Sequence, residues 1–323
     1  MADRAANPDT LRQLDRLIWI LIGMVGATVM LAPLISTFSI QWRSFGPGIA
    51  TCIGLTAGAW YYRHWRDDER LASGLQCCAQ LVAFAAVAAP LSYLAAGLGA
   101  AVPLQDPLLD AIDKALGFDW MALLRWFNDA SVAFAGLRLA YGSLLPQMAI
   151  AVLCLAFTGR TVWLRTIVLA FIFTTIVTIA ISAALPAAGV WLHYGLTEAD
   201  ATTIPVVRTV WPVFTGQRDG SVRDLVGLGA EGVITFPSLH AALAVIMIAA
   251  LWPIAALRWP VLALDAAMLL STPVDGAHYL ADVLAGICIA VACIFSARAM
   301  TKQKRFAKSL LIAGETPQLA ARD

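Results

Sequence analysis

The chain has 323 residues, 60% of them hydrophobic and only 13% charged, with a mean hydropathy of +0.77 and a net charge of +1. Soluble domains carry about 25% charged residues, so a water-soluble globule is excluded. No basic stripe is interleaved with aromatics, which excludes nucleic acid as a partner. The apolar runs are long and unbroken and lack the alternation of a barrel, so they predict an all-α, polytopic membrane bundle.

Residues 1–16 are polar and carry Arg4, Arg12 and Arg16. The first span is predicted over residues 17–38, longer than the apolar core of a signal peptide. A second follows at 47–62, then a charged loop at 63–70 containing His64, then a third span at 71–102. Residues 103–129 differ in character. Asp106-Pro107 reads as an N-cap with a first-turn proline. Leu108, Leu109, Ile112 and Leu116 then share one helical face, opposite Asp110, Asp113 and Lys114. Asp119 can cap another short helix containing Trp120, Leu123, Leu124, Trp126 and Phe127. Tryptophan-rich amphipathic helices of this kind lie in the membrane interface.

The fourth span is predicted within 130–158, including Arg138 and Gln147, and a basic loop at 159–165 leads to a fifth span ending near residue 192, beside His193. A long loop at 193–235 follows, without evident regular structure. It holds Arg208, Arg218 and Arg223 together with Glu198, Asp200, Asp219, Asp224 and Glu231. The sixth and seventh spans form a hairpin around Arg258-Trp259-Pro260. Asp265, in the seventh, is expected to pair with Arg138 or Gln147 across the bundle. The eighth span runs from about residue 278 to 295, ahead of a basic tail. This divides the chain into extra N-terminal helices (1–70), a six-helix core (71–300) and the tail (301–323). All six cysteines fall within predicted spans and show no metal-type spacing, so they read as free thiols.

With the N-terminus in the cytoplasm and eight crossings, the Arg and Lys residues divide 15 cytoplasmic to 6 external, with Arg138 inside a span. That is the direction of the positive-inside rule. Both termini are then cytoplasmic, in what reads as a bacterial inner membrane, and the tail beside the last span attracts anionic headgroups.

His240 heads the sixth span and His278 the eighth. A helix rises about 1.5 Å per residue, so the hairpin between them descends and returns to one level, on the periplasmic side in this topology. His278 and Asp282 are four residues apart, the spacing of one helical face. Ionisable groups at membrane depth are costly and persist where they do chemistry. A carboxylate on one imidazole nitrogen leaves the other as a nucleophile toward phosphorus. His240 would protonate the departing oxygen. Ser238 and the amides behind Pro237 would cradle the phosphate. The scheme requires no cofactor and no metal.

Pro237-Ser238-Leu239-His240 and Ser271-Thr272, five residues, His278, three residues, Asp282 together resemble two signatures of the type 2 phosphatidic acid phosphatase superfamily, P-S-G-H and S-R-x5-H-x3-D. The resemblance runs from about residue 109 onward and implies six core helices and a phosphohistidine intermediate. His278 would be the nucleophile, Asp282 its orienting partner and His240 the leaving-group acid. Two features depart from the pattern: Thr272 replaces an arginine, and no K-x6-R-P signature exists. The phosphate-binding cation is expected from Arg218, with Arg208 and Arg223 as the other candidates. The Pro-Ser-Leu-His and Gly-x-His-Tyr-x-x-Asp forms look like the branch of inositol phosphorylceramide synthases. A phospholipid or sphingolipid substrate in the bilayer is the implied partner. Other chemistries for these residues are a His/His/Asp metal site, a proton-coupled transporter, which would show inverted repeats, and an inactive relative.

Overall fold

The structure is a computed structural model that describes residues 8–129, 131–196, 205–227 and 232–314. Two N-terminal helices, α1 (Pro8–Ile35) and α2 (Trp42–His64), precede α3 (Glu69–Leu98), whose N-cap Asp68 accepts from the amides of Arg70 and Leu71. A 3-10 turn at Gly99–Ala101 leads to two short helices, α4 (Asp106–Ala115) and α5 (Trp120–Asp129). The core continues through α6 (Ser131–Gly142), α7 (Leu144–Phe157) and α8 (Thr161–Ala184). It closes, after α9 (Val190–His193) and α10 (Pro205–Asp219), with α11 (Leu239–Leu251), α12 (Arg258–Asp275) and α13 (Leu280–Gly314). The all-α polytopic bundle is as expected.

Among the described residues, four helices are long and apolar enough to cross a membrane: α1, α3 with its 3-10 extension, α8, and α13 as far as Lys302. A fifth crossing counts if α6 and α7 are taken as one span, bent by 53°. Of the eight predicted crossings, α2, α11 and α12 do not qualify, α11 because it ends at Leu251, with turns up to Leu257. The predicted fourth span breaks at Gly142-Ser143, a pair of poor helix formers. The loop at 193–235 contains α10, whose Pro212 and Gly216 hid it from a reading by propensity. Glu198, Asp200 and Glu231 lie outside the described residues. The bend and α10 both matter, because each contributes a wall of the cavity described below.

The main core gathers α1, α3, α7, α8, α11, α12 and α13 around Ile18, Phe84, Leu155, Leu169, Ile246 and Met268. Large apolar side chains also point outward, including Met24, Leu31, Ile53, Leu145, Leu270 and Phe295. An outward apolar belt suits a hydrocarbon solvent.

One end of the bundle is tied by Arg165, which the sequence placed in a basic loop. It is fully buried in α8, donating to both carboxylate oxygens of Asp15 at 2.9 Å and to Ser73 at 3.0 Å. Gln80 donates to the same aspartate at 3.0 Å, so α1, α3 and α8 meet at one polar knot. Thr166 and Thr301 bond beside it at 3.1 Å, which brings the far end of α13 to the same level. Arg165→Ala would leave the Asp15 charge largely buried and unpaired. We predict a loss of about 3–5 kcal/mol, read as thermal stability in detergent. Arg125→Ala, which breaks an exposed pair with Asp119 at 3.9 Å, should cost at most about 1 kcal/mol.

Candidate active site

The opposite end of α13 holds the candidate functional residues. Helix α12 stops at Asp275, and only four residues, Gly276 to Tyr279, separate it from α13. Ala277 has a φ of 54°, in the left-handed region. A non-glycine residue there costs about 1–2 kcal/mol, and the strain sits beside His278; strain of this kind clusters at active sites. The turn is held by His278 N donating to the Pro273 carbonyl at 3.0 Å and Val190 N donating to that of Ala277 at 3.3 Å.

His278 therefore stands just before the helix and shares no helical face with Asp282. Their contact arises from capping. Asp282, in the first turn, reaches back so that Oδ2 accepts from Tyr279 N at 3.0 Å and meets His278 Nδ1 at 3.1 Å. An acid at this position serving the N-cap amide is half of a capping box. Asp282 is fully buried. The Thr235 carbonyl lies beside the same imidazole.

The next two amides of α13 are served from α4. Asp113 accepts from Leu280 N and Ala281 N, each at 2.8 Å. Burial pushes the Asp113 carboxyl above its usual range, against the pull of those two amides. Asp106 accepts from Ala188 N at 2.8 Å, Gly189 N at 2.6 Å and the Tyr279 hydroxyl at 3.2 Å. Asp110 binds Lys114 at 2.7 Å and the Tyr194 hydroxyl, with His193 Nε2 at 3.8 Å. The amphipathic helix is thus turned with its acids inward. Asp113 is 2% exposed, whereas Leu108 and Leu116 are 55% and 57% exposed. An outward apolar stripe is what a membrane interface requires, and of the inward carboxylates Asp113 caps α13.

Helix α11 meets α13 head to head. Ser238 N donates to the Asp282 carbonyl at 3.1 Å, and a Cβ on Gly286 would lie 2.3 Å from the Ser238 carbonyl, so only glycine fits. Ser238 is buried as the N-cap of α11, its Oγ accepting from Ala241 N at 3.4 Å. His240, in the first turn, stacks on Tyr141 with ring centroids 4.4 Å apart. His240 and His278 both line a cavity of about 450 Å³, walled by Tyr141, Trp211, Phe214 and Thr235. Gly276 lines it too. A Cβ there would come within 2.9 Å of the Tyr141 hydroxyl and 2.6 Å of the His278 ring.

The expected cations lie elsewhere. Arg218 donates to the carbonyls of Gly99, Ala100 and Val102 at 2.8, 3.1 and 2.8 Å. Arg223 donates to the Gln217 carbonyl at 3.1 Å and lies over the Phe38 ring. Neither lines the cavity. Arg208 belongs to α10, but its side chain is outside the described residues. Thr272 is buried and donates to the Met268 carbonyl at 2.7 Å. Arg138 pairs with Asp275 at 3.4 Å instead of Asp265, and Asp265 lies beside Gln147. His64 is exposed and stacks on Trp60. Among the described residues, no three His, Cys, Asp or Glu side chains are grouped to hold a metal ion. Sequence reasoning missed Tyr141, Asp106 and Asp113. For the two acids the signal was the spacing 106, 110, 113, which puts three carboxylates on one helical face.

Asp113→Ala removes the acceptor for two amides at the head of α13. It should cost about 1–2 kcal/mol of stability and lower turnover, while Asp113→Asn should retain more of both. Thermal unfolding and steady-state kinetics on the two variants check this.

Residues 108–296 match the family model described as the PAP2 superfamily, well over half of the chain. No curated protein and no solved structure matches it. The matched region contains His240, His278, Asp282 and Asp113, and on this evidence the chain belongs to the PAP2 superfamily.

Proposed function

We propose that the protein is a lipid phosphatase or headgroup phosphotransferase working through a phosphohistidine on His278. The observation that carries the reading is the cavity shared by His240 and His278, with Asp282 on the Nδ1 side of His278. Asp282 accepts the Nδ1 proton and leaves Nε2 as the nucleophile. Nε2 attacks phosphorus, the P–O bond to the departing group breaks, and His240 delivers a proton to that oxygen. Water or a hydroxyl acceptor then attacks phosphorus, His240 takes its proton, the P–N bond breaks, and His278 is regenerated. The positive end of α11 supports the phosphate oxygens.

The cavity walls are largely apolar, with Leu144, Leu145, Val210, Trp211 and Phe214 among them. Such walls suit an acyl chain, which favours a phospholipid or sphingolipid substrate. The Pro-Ser-Leu-His and Gly-x-His-Tyr-x-x-Asp forms favour transfer between lipids, in the manner of the inositol phosphorylceramide synthases. The distribution of Arg and Lys favours a periplasmic site.

Purified protein should release phosphate from lipid phosphates, or exchange their headgroups, without added metal, and vanadate should inhibit it. His278→Ala and Asp282→Ala should abolish turnover. His240→Ala should lower it by about 10²–10⁴-fold, the usual size of general acid catalysis, and His64→Ala should leave it unchanged. Activity lost to a chelator and restored by zinc would overturn the reading.

A further inference from the structure

We infer that Tyr141 is the positioning residue of His240, its ring setting the plane from which that imidazole donates to the departing oxygen. The inference rests on the reading above. A histidine at the head of a helix does not fix its own ring, because the torsion next to the imidazole is broad and roughly two-fold. His278 is oriented by its contact with Asp282 at 3.1 Å. His240 has no such partner: among the described residues, no hydrogen bond holds its ring nitrogens. Tyr141 supplies the missing constraint. Its ring lies nearly parallel to the imidazole, with 12° between the planes and 4.4 Å between the centroids. Turning the imidazole about its bond to Cβ would drive an edge into the tyrosine face. The ring nitrogens therefore stay in the plane of the stack, and both rings line the cavity shared with His278. A stacked face orients an acid without occupying the nitrogen that must give up its proton.

The local sequence explains how the tyrosine comes to stand there. Gly142 and Ser143 follow it directly, and the path bends by 53° between α6 and α7. Helix α6 packs on α12, whereas α7 packs on α3 and on α11, the helix of His240. The bend carries the chain from one to the other, with Tyr141 at the corner. The tyrosine hydroxyl abuts Gly276, where a Cβ would lie 2.9 Å from it and 2.6 Å from the His278 ring. One side chain thus meets the proposed acid with its face and, with its hydroxyl, the residue that opens the turn bearing the proposed nucleophile.

The test uses the full chain in detergent and turns on what an acid is needed for. The alkoxide leaving a lipid phosphate requires a proton, whereas 4-nitrophenolate departs readily without one. Tyr141→Leu should lower kcat on a lipid phosphate by about threefold to tenfold, the upper part of the range of an aromatic pair. On 4-nitrophenyl phosphate it should lower kcat by a smaller factor. Tyr141→Met, closer to tyrosine in volume, should behave in the same way, and Tyr141→Phe, which keeps the ring, should recover most of the loss. Added to His240→Ala, Tyr141→Leu should have no further effect on the lipid phosphate, the non-additivity of residues that act as a unit. Thermal unfolding checks the fold of each variant. An equal loss on both phosphates in folded Tyr141→Leu or Tyr141→Met would overturn the inference. So would no loss at all, or the same loss repeated in the His240→Ala background. Wild-type turnover in His240→Ala would instead sink the acid assignment on which the inference rests.

Discussion

The arrangement depends on how the first amides of α13 are satisfied within an apolar bundle. A helix end leaves its first N–H groups without intrahelical partners, and an orphaned amide away from water costs free energy comparable to a lost hydrogen bond. Here carboxylates meet three successive amides, Asp282 at Tyr279 and Asp113 at Leu280 and Ala281. The same Oδ2 that caps Tyr279 also meets the His278 ring, so capping the helix and orienting the imidazole are one event. Asp106 extends the support outward by fixing the Ala188-Gly189 segment, from which Val190 N reaches the Ala277 carbonyl. A histidine on a strained turn becomes a rigid one in this way.

This makes α4 part of the machinery of the site and not merely an interfacial rider. Its apolar stripe faces out while its acids face in. Asp113 is what links this helix to the head of α13. The N-terminal hairpin has a different duty. It packs on α3, and a two-residue parallel pairing of Ser39–Ile40 with Asp224–Leu225 secures the segment after α10. Arg218 and Arg223 reinforce the same region through backbone carbonyls and the Phe38 ring. The Arg165 knot ties α1, α3 and α8 together at the other end of the bundle.

Much of this was legible in the residues. Long apolar runs disclose membrane helices because hydrocarbon accepts little else, and the two histidines were correctly expected to return to one end, since hairpin length fixes depth. The break at Gly142-Ser143 was not, because a short kink barely alters an apolar run. Nor was α10, where proline and glycine lower helix propensity and tertiary contacts restore the helix. The inward face of α4 was invisible for a different reason: amphipathicity shows which residues share a face, but not whether the solvent beyond it is water or lipid. Arginines were the hardest to assign. A charge in a loop looks alike whether it binds a ligand or three carbonyls, and only coordinates show that Arg218 does the latter.

The central claim is that His278 carries the phosphoryl group. The direct measurement is to quench the protein during turnover of a lipid labelled in its phosphate and to map the label under alkaline conditions, where phosphohistidine survives. The account predicts an acid-labile label on the peptide containing His278, lost in His278→Ala and accumulating in His240→Ala if departure of the intermediate also needs that imidazole. Turnover with no covalent label, or a label on any other residue, would contradict it.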